Sequence, residues 1–259
     1  FAAVFLAAVF LAAFGAGVFN QLMEVEQDKL MTRTADRPLP AQRMGPGLAF
    51  AIGWLLSAFA LIHLAKMVNV EAAALCATTL GVYLFVYTPL KKQSAWNTIV
   101  GAVSGALPPL IGWVGAAGQP AASDAYFRVS LLLSPGAIYL FLLLFLWQLP
   151  HFLAINWVYR EEYRRGGFVM WANEDESGIT TARLAMIFSV CAAVLALLPA
   201  AFGLVTQWFL PLATLANLWL VWLAWRFLRS RDRAGARRLF FGTLLYLPLL
   251  LGISMSCWR

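Results

Sequence analysis

Residues 131–154 read LLLSPGAIYLFLLLFLWQLPHFLA, 24 positions without an Asp, Glu, Lys or Arg. At a rise of about 1.5 Å per residue, a helix of that length crosses a hydrocarbon layer about 30 Å thick. Apolar side chains occupy every face, so this is not a surface helix with one buried stripe. They do not alternate with polar ones, so it is not a strand of a membrane barrel. Working outward, seven similar runs lie at about 1–20, 47–66, 70–89, 97–117, 183–204, 207–227 and 237–256. Lipid offers no partner for backbone amides, so each run is expected to be a helix. The expected fold is an all-α polytopic transmembrane bundle of eight spans, with residues 1–259 forming one intramembrane domain. Hydrophobic residues make up 62% of the chain and charged ones 12%, which excludes an ordinary water-soluble enzyme and a disordered chain. Cys76, Cys191 and Cys257 sit in apolar runs without metal or redox spacing and read as packing residues. The chain starts at Phe1 inside an apolar run with no basic segment before it, which is unlike a signal peptide. It reads as N-terminally truncated.

Eight spans place alternate loops on opposite sides of the membrane. The loops after the first, third, fifth and seventh spans carry 16 of the 19 Lys and Arg residues; the other side has Lys66, Arg128 and Arg259. That asymmetry makes the basic side cytoplasmic, or matrix-facing, under the same charge rule; the expected location is a bacterial inner membrane ahead of a mitochondrial one. The formal charge of +7 is therefore topogenic and no sign of a nucleic-acid partner. The run Arg229, Arg231, Arg233, Arg237, Arg238 reads as an orientation and lipid-headgroup signal. The long loops, about 21–46 and 157–181, share this side, where lids and catalytic groups are expected. A transporter would hold its ionisable groups near the midplane; here they cluster at the helix ends.

The first chemical signal is the segment from Asn20 to Pro38. Asn20, Glu24 and Asp28 recur every four residues, so on a continuing helix they share one face. Carboxylate and amide oxygens suit a hard cation such as Mg²⁺, which takes one or two protein carboxylates and shares the rest of its shell with water and phosphates. Arg33 and Arg37 follow at the same spacing and match phosphate oxygens in a bidentate manner. The stripe and the Arg pair together read as a Mg²⁺–diphosphate site. Glu26 and Asp36 fall off the stripe and read as surface charges. A second basic cluster, Tyr87-Thr-Pro-Leu-Lys91-Lys92, closes the third span. A third runs from Trp147 through Pro150, His151 and Asn156 to Tyr159, Arg160, Glu161, Glu162 and Tyr163. A Pro-His step inside a span is costly unless the imidazole meets a partner or cavity; His151 is a site candidate or a packed, bonded histidine. His63 reads as structural. Gly101-x-x-x-Gly105 reads as close helix packing.

These segments together resemble the UbiA-type intramembrane prenyltransferases. The stripe appears as Asn20-x-x-x-Glu24-x-x-x-Asp28 and the second motif as Tyr87-Thr-Pro-x-Lys91-Lys92. The wording Asp28-x-x-Met31-x-Arg33-Thr34-x-x-Arg37-Pro38, the run Asn97 to Trp113 with Pro108-Pro109, and Trp147-Gln-x-Pro150-His151-Phe152 followed by Tyr159-Arg160-x-x-Tyr163-x-x-Gly166-Gly167 are similar to the branch that farnesylates protohaem IX. The resemblance covers about Asn20 to Met170. It departs at Glu24, where many members have Asp, and in the third cluster, which offers Asn156, Glu161 and Glu162 in place of a D-x-x-x-D. Members usually have nine helices with the stripe after the second, so the missing span is expected to be the first.

The resemblance implies transfer of a farnesyl group from farnesyl diphosphate to a vinyl group of haem b, giving haem O. It implies Mg²⁺ on Asn20, Glu24 and Asp28, with Glu162 as a further candidate ligand. Catalytic roles fall to Asn20, Glu24, Asp28, Lys91 and Arg160. Diphosphate binding falls to Arg33, Arg37, Lys91, Lys92 and Tyr87, and haem contacts to His151, Asn156 and Tyr163. Membrane lipid is the expected surrounding, with haem A synthase or oxidase assembly proteins as candidate neighbours. The nearest rival acceptor is an aromatic quinone precursor.

Overall fold

The computed structural model describes residues 2–118 and 127–259. The longer connection expected around Gln119–Ser130 lies mostly outside them. Among the described residues eight helical stretches are long and apolar enough to span a membrane, from Phe5–Met23 to Arg233–Cys257. The chain divides into two compact units: residues 1–141 with 162–169, and residues 142–161 with 170–259.

In the first unit, α1 (Ala2–Met23) is followed by the short α2 (Val25–Lys29), α3 (Pro46–Met67) and α4 (Val70–Gly81). The stripe helix is not continuous, as the sequence suggested. It kinks at Glu24, whose φ of −118° and ψ of 15° leave the helical region. The bonds from the Glu24 amide to the Asn20 carbonyl and from the Asp28 amide to the Glu24 carbonyl survive, so the four-residue stripe keeps its alignment. Close approach of α1 and α3 requires glycine: a Cβ on Gly15 would collide with Ser57 Oγ and sit 3.1 Å from the Gly53 carbonyl.

The third span continues beyond α4 through a π-helical turn, Val82–Tyr87, into α5 (Thr88–Leu90). Pro89 cannot donate a backbone bond. The widened turn and the Thr88 hydroxyl, 2.9 Å from the Tyr83 carbonyl, carry the helix past it. The fourth span is α6 (Asn97–Ala106) and α7 (Pro108–Ala116), jointed at Leu107 ahead of the Pro108-Pro109 pair. Small residues such as Ala8, Ala12, Ala60 and Ala72 pack with Leu64, Val68 and Val114 into the unit's core. His63 stacks on Phe59 at 5.5 Å.

The end of this unit away from the stripe is tied by Asn69, Glu71 and Arg128. Asn69 caps α4 by accepting from the Ala72 amide at 2.8 Å and donates to the Val114 and Gly118 carbonyls. Arg128 meets Glu71 through Nε at 2.6 Å and Nη2 at 3.2 Å. The Glu71 side chain is 2% exposed, so deleting its partner strands a buried carboxylate. Arg128→Ala is expected to lower stability by about 3 kcal/mol, and Arg128→Met with Glu71→Leu to recover most of it. Thermal unfolding in detergent reads both. A full-strength Arg128→Ala protein would contradict the assignment.

The second unit takes α9 (Pro135–Val158) from Leu142 onward, the opening of α10 (Arg160–Arg165), α11 (Ile179–Ala196), α12 (Leu198–Ala201), α13 (Phe209–Ser230) and α14 (Arg233–Cys257); α8 (Val129–Leu132) belongs to the first unit. Phe209, Leu220, Phe227, Leu239, Tyr246 and Leu250 are fully buried here. Tyr246 donates to Asn217 at 2.7 Å and Asn217 to the Ala193 carbonyl at 2.9 Å, so these two buried polar side chains are paired, as burial demands.

Several helix ends differ from the hydropathy reading. The fifth span starts at Pro135, because Ser134 and Pro135 suit a helix start. The sixth starts at Ile179, where Gly178 takes φ of +71° and Asp175 accepts from the Thr181 amide. Arg183, Arg226, Arg229, Arg233, Arg237 and Arg238 therefore lie inside helices and not in loops. Long arginine stems can cover apolar surface while the charge reaches outward. Cys76 and Cys257 are buried, whereas Cys191 is exposed on α11 and is not the packing residue its surroundings suggested.

Candidate functional site

The kink at Glu24 faces the end of the π-helical turn, and two buried charges meet there. Lys91 Nζ donates to Glu24 Oε1 at 2.8 Å and to Asn20 Oδ1 at 3.3 Å. Asn20 Nδ2 donates to Glu24 Oε2 at 2.8 Å, and Thr88 Oγ1 lies 3.3 Å from Asn20 Oδ1. The Glu24 and Lys91 side chains are 4% and 11% exposed. Burial pulls the Lys91 ammonium below the ordinary lysine value, and the neighbouring Glu24 carboxylate partly restores it. A charged lysine here depends on Glu24.

One turn further on, Asp28 is 1% exposed and its Oδ2 accepts from Arg37 Nη1 at 2.8 Å. The Thr34 hydroxyl donates to the Asp28 carbonyl, which turns the chain after α2 and returns Arg37 to the stripe. The stripe thus gathers two carboxylates, one amide, one lysine and one arginine. Glu26 and Asp36 pair at the surface with Lys29 and Arg43.

Aromatic rings surround Lys91. Its Nζ lies 4.7 Å from the centroid of Tyr87 and 5.8 Å from that of Phe168. The segment carrying Phe168 is fastened to the same place. The Val169 amide donates to the Lys91 carbonyl at 2.7 Å, and Asn97 Nδ2 donates to the Val169 carbonyl at 2.7 Å. Its other end meets Arg33: the Arg33 amide donates to Glu162 Oε2 at 3.2 Å, and Arg33 Nη2 to the Tyr163 hydroxyl at 3.4 Å. Glu162 and Tyr163 are therefore joined to Arg33, and Lys92 reaches the Met23 carbonyl closing α1.

The remaining candidates belong to the second unit. Arg160 donates to the Asp175 carbonyl at 3.0 Å, pairs with Glu161 at 3.2 Å and lies over the Trp157 ring. His151 Nδ1 is 2.8 Å from Thr243 Oγ1, and its ring stacks between Trp147 and Phe240. Asn156 is buried on the same helix. Thr88, Asn97 and Phe168 are contributors the sequence reading passed over. A hydroxyl before a proline in a span was a usable signal for Thr88; nothing local marks Phe168.

Gly101 faces the ring under Lys91. A Cβ there would stand 2.7 Å from the Tyr87 ring, so the Gly101 spacing serves this ring as well as helix packing. Gly101→Val is expected to cost about 1–3 kcal/mol by overpacking and to displace Tyr87, lowering activity per folded molecule. A thermal melt alongside the activity assay separates the two effects; unchanged values in both would contradict the contact.

The donor set suits a hard cation. Two carboxylates and an amide oxygen are what Mg²⁺ uses when phosphates and water complete its shell. Among the described residues no three His, Cys, Asp or Glu side chains gather as a metal group.

Comparison with known proteins gives consistent results. The model of the UbiA prenyltransferase family matches residues 1–247. Protoheme IX farnesyltransferase of Opitutus terrae is 42% identical over 93% of this chain and 78% of its own. That of Solibacter usitatus is 38% identical over 95% of this chain and 80% of its own, and the human mitochondrial one 38% over 96% and 53%. Among solved structures, a UbiA homolog from Aeropyrum pernix K1 superposes with a TM-score of 0.74 at 20% identity, over 98% of this chain and 87% of that one; this shows the shared fold.

Proposed function

The chain belongs to the UbiA prenyltransferase family, and on that premise we propose that it transfers a farnesyl group from farnesyl diphosphate to a vinyl group of haem b, giving haem O. The observation that carries the reading is the buried Asn20–Glu24–Lys91 cluster beside the Asp28–Arg37 pair. It combines cation ligands and phosphate-binding cations at one membrane-proximal point. The relatives' names supply the acceptor. The protein is an integral multi-pass membrane prenyltransferase; from the loop charges we place its site on the side that is cytoplasmic in a bacterial inner membrane and matrix-facing in a mitochondrial one.

The C1–O bond of farnesyl diphosphate breaks, and its electron pair leaves on the diphosphate. The vinyl π pair of the haem forms the new bond to C1, and water adds to the resulting cation and releases one proton. Lys91 and Arg37 hold the charge of the departing diphosphate, and Arg33 joins them from the segment fastened to Glu162. Glu24 and Asn20 keep Lys91 charged and aimed. Tyr87 and Phe168 present ring faces that tolerate the allylic cation and keep water off the ammonium. Asn20, Glu24 and Asp28 are the residues that would hold Mg²⁺, whose chemistry there is neutralisation of the leaving group.

An acceptor competition tests this. The full chain in membranes receives farnesyl diphosphate with haem b, a hydroxybenzoate and a dihydroxynaphthoate together. Farnesyl is expected on haem alone; prenylated quinone precursor as the main product would overturn the acceptor.

A further inference from the structure

The second unit holds an open cavity of about 500 Å³ at the ends of α9 and α14, lined by Ile155, Tyr159, Arg233, Arg237, Phe240 and Phe241 among others, with no acidic side chain in its wall. Arg233 and Arg237 stand four residues apart, so their guanidinium groups leave the helix on one face. Among the described residues neither forms an ion pair. Arginine is also disfavoured in the first turns of a helix, where the backbone already presents partial positive charge. Asp232 is spent on the cap, accepting from the Gly235 amide and Ser230. Two cations without a carboxylate, beside the apolar Phe240, Phe241 and Ile155, make a site that takes an anionic edge and an apolar body. Phe240 is also the ring on which His151 stacks, at 4.7 Å.

We propose that this cavity recognises a planar amphiphile through paired carboxylates on one edge. Resting on the reading above, these are the two propionates of the haem acceptor, held by Arg233 and Arg237. Nothing in the cluster around Glu24 is needed for this step. A phosphate-bearing lipid headgroup offers the same anionic chemistry, so the test separates the two.

Binding is measured without farnesyl diphosphate, on the full chain in phosphatidylcholine nanodiscs, by absorbance titration with haem b and with haem b dimethyl ester. Arg233→Gln with Arg237→Gln is expected to weaken haem b about 10- to 100-fold. The ester is expected to bind the parent as weakly as haem b binds the double variant. The corresponding double Lys variant is expected to keep part of the affinity, and Arg238→Gln, which is outside the cavity lining, to match the parent. Equal parent affinity for acid and ester, or unchanged haem binding in the double Gln variant, would overturn the proposal. So would a double variant that keeps haem but loses co-purifying phosphatidylglycerol, since that makes the site a lipid headgroup pocket. Farnesyl transfer is scored separately. A parent that binds haem through the arginines yet makes no farnesylated haem retires the catalytic reading and supports the site.

Discussion

Glu24→Gln is expected to lower prenyl transfer roughly 100- to 1,000-fold while leaving a folded protein. Glutamine retains an oxygen for Lys91 but removes the charge that keeps the buried ammonium protonated and the anionic oxygen a cation would use. The structure shows both Glu24 oxygens in use, one by Lys91 and one by Asn20, so the loss is electrostatic and not a cavity. Stability should fall by no more than about 3 kcal/mol. If these interactions act on the developing diphosphate charge, kcat and kcat/KM fall together. A variant with near-parent kcat at any farnesyl diphosphate concentration would remove Glu24 from the chemistry.

Lys91→Met should do more harm. It removes the cation nearest the stripe and strands the Glu24 carboxylate, which is 4% exposed, a cost of about 3–5 kcal/mol. Activity per folded molecule is expected to fall roughly 1,000-fold. Lys91→Arg keeps the charge but replaces a compact ammonium by a planar fork that does not reproduce its contacts with Glu24 and Asn20, and should recover only part of it. Because burial holds the Lys91 ammonium below the ordinary 10.5, parent activity should decline on the alkaline side before an exposed lysine would titrate. Lys91→Arg should lack that decline. Parallel alkaline limbs in both proteins would assign the titration to another group.

The spans were legible because lipid demands continuous apolar runs of fixed length, and all eight stand in the structure. Their ends were less so. Ile179 starts four residues before its apolar run because Asp175 and Gly178 fix the start, a bonded detail that hydropathy does not weigh. The stripe's spacing survives, yet the kink at Glu24 was invisible: no Pro or Gly marks it. Pro89 hinted at a disturbed third span but not at a π-helical turn. The partners of Lys91 from residues 162–169, Phe168 and Val169, lie 77 and 78 positions away, and such contacts are set by tertiary packing. For His151, the Pro-His step pointed to a partner; the partner is Thr243, 92 positions on.

The most direct measurement is a time course with the purified full chain, farnesyl diphosphate, haem b and Mg²⁺, following released diphosphate and farnesylated haem together. The account predicts one diphosphate per farnesylated haem in the parent and in Arg128→Ala corrected for folded fraction, and both products roughly 100- to 1,000-fold more slowly from Glu24→Gln. Farnesylated haem made at parental rate by Glu24→Gln, or no haem adduct from a well-folded parent, would contradict it.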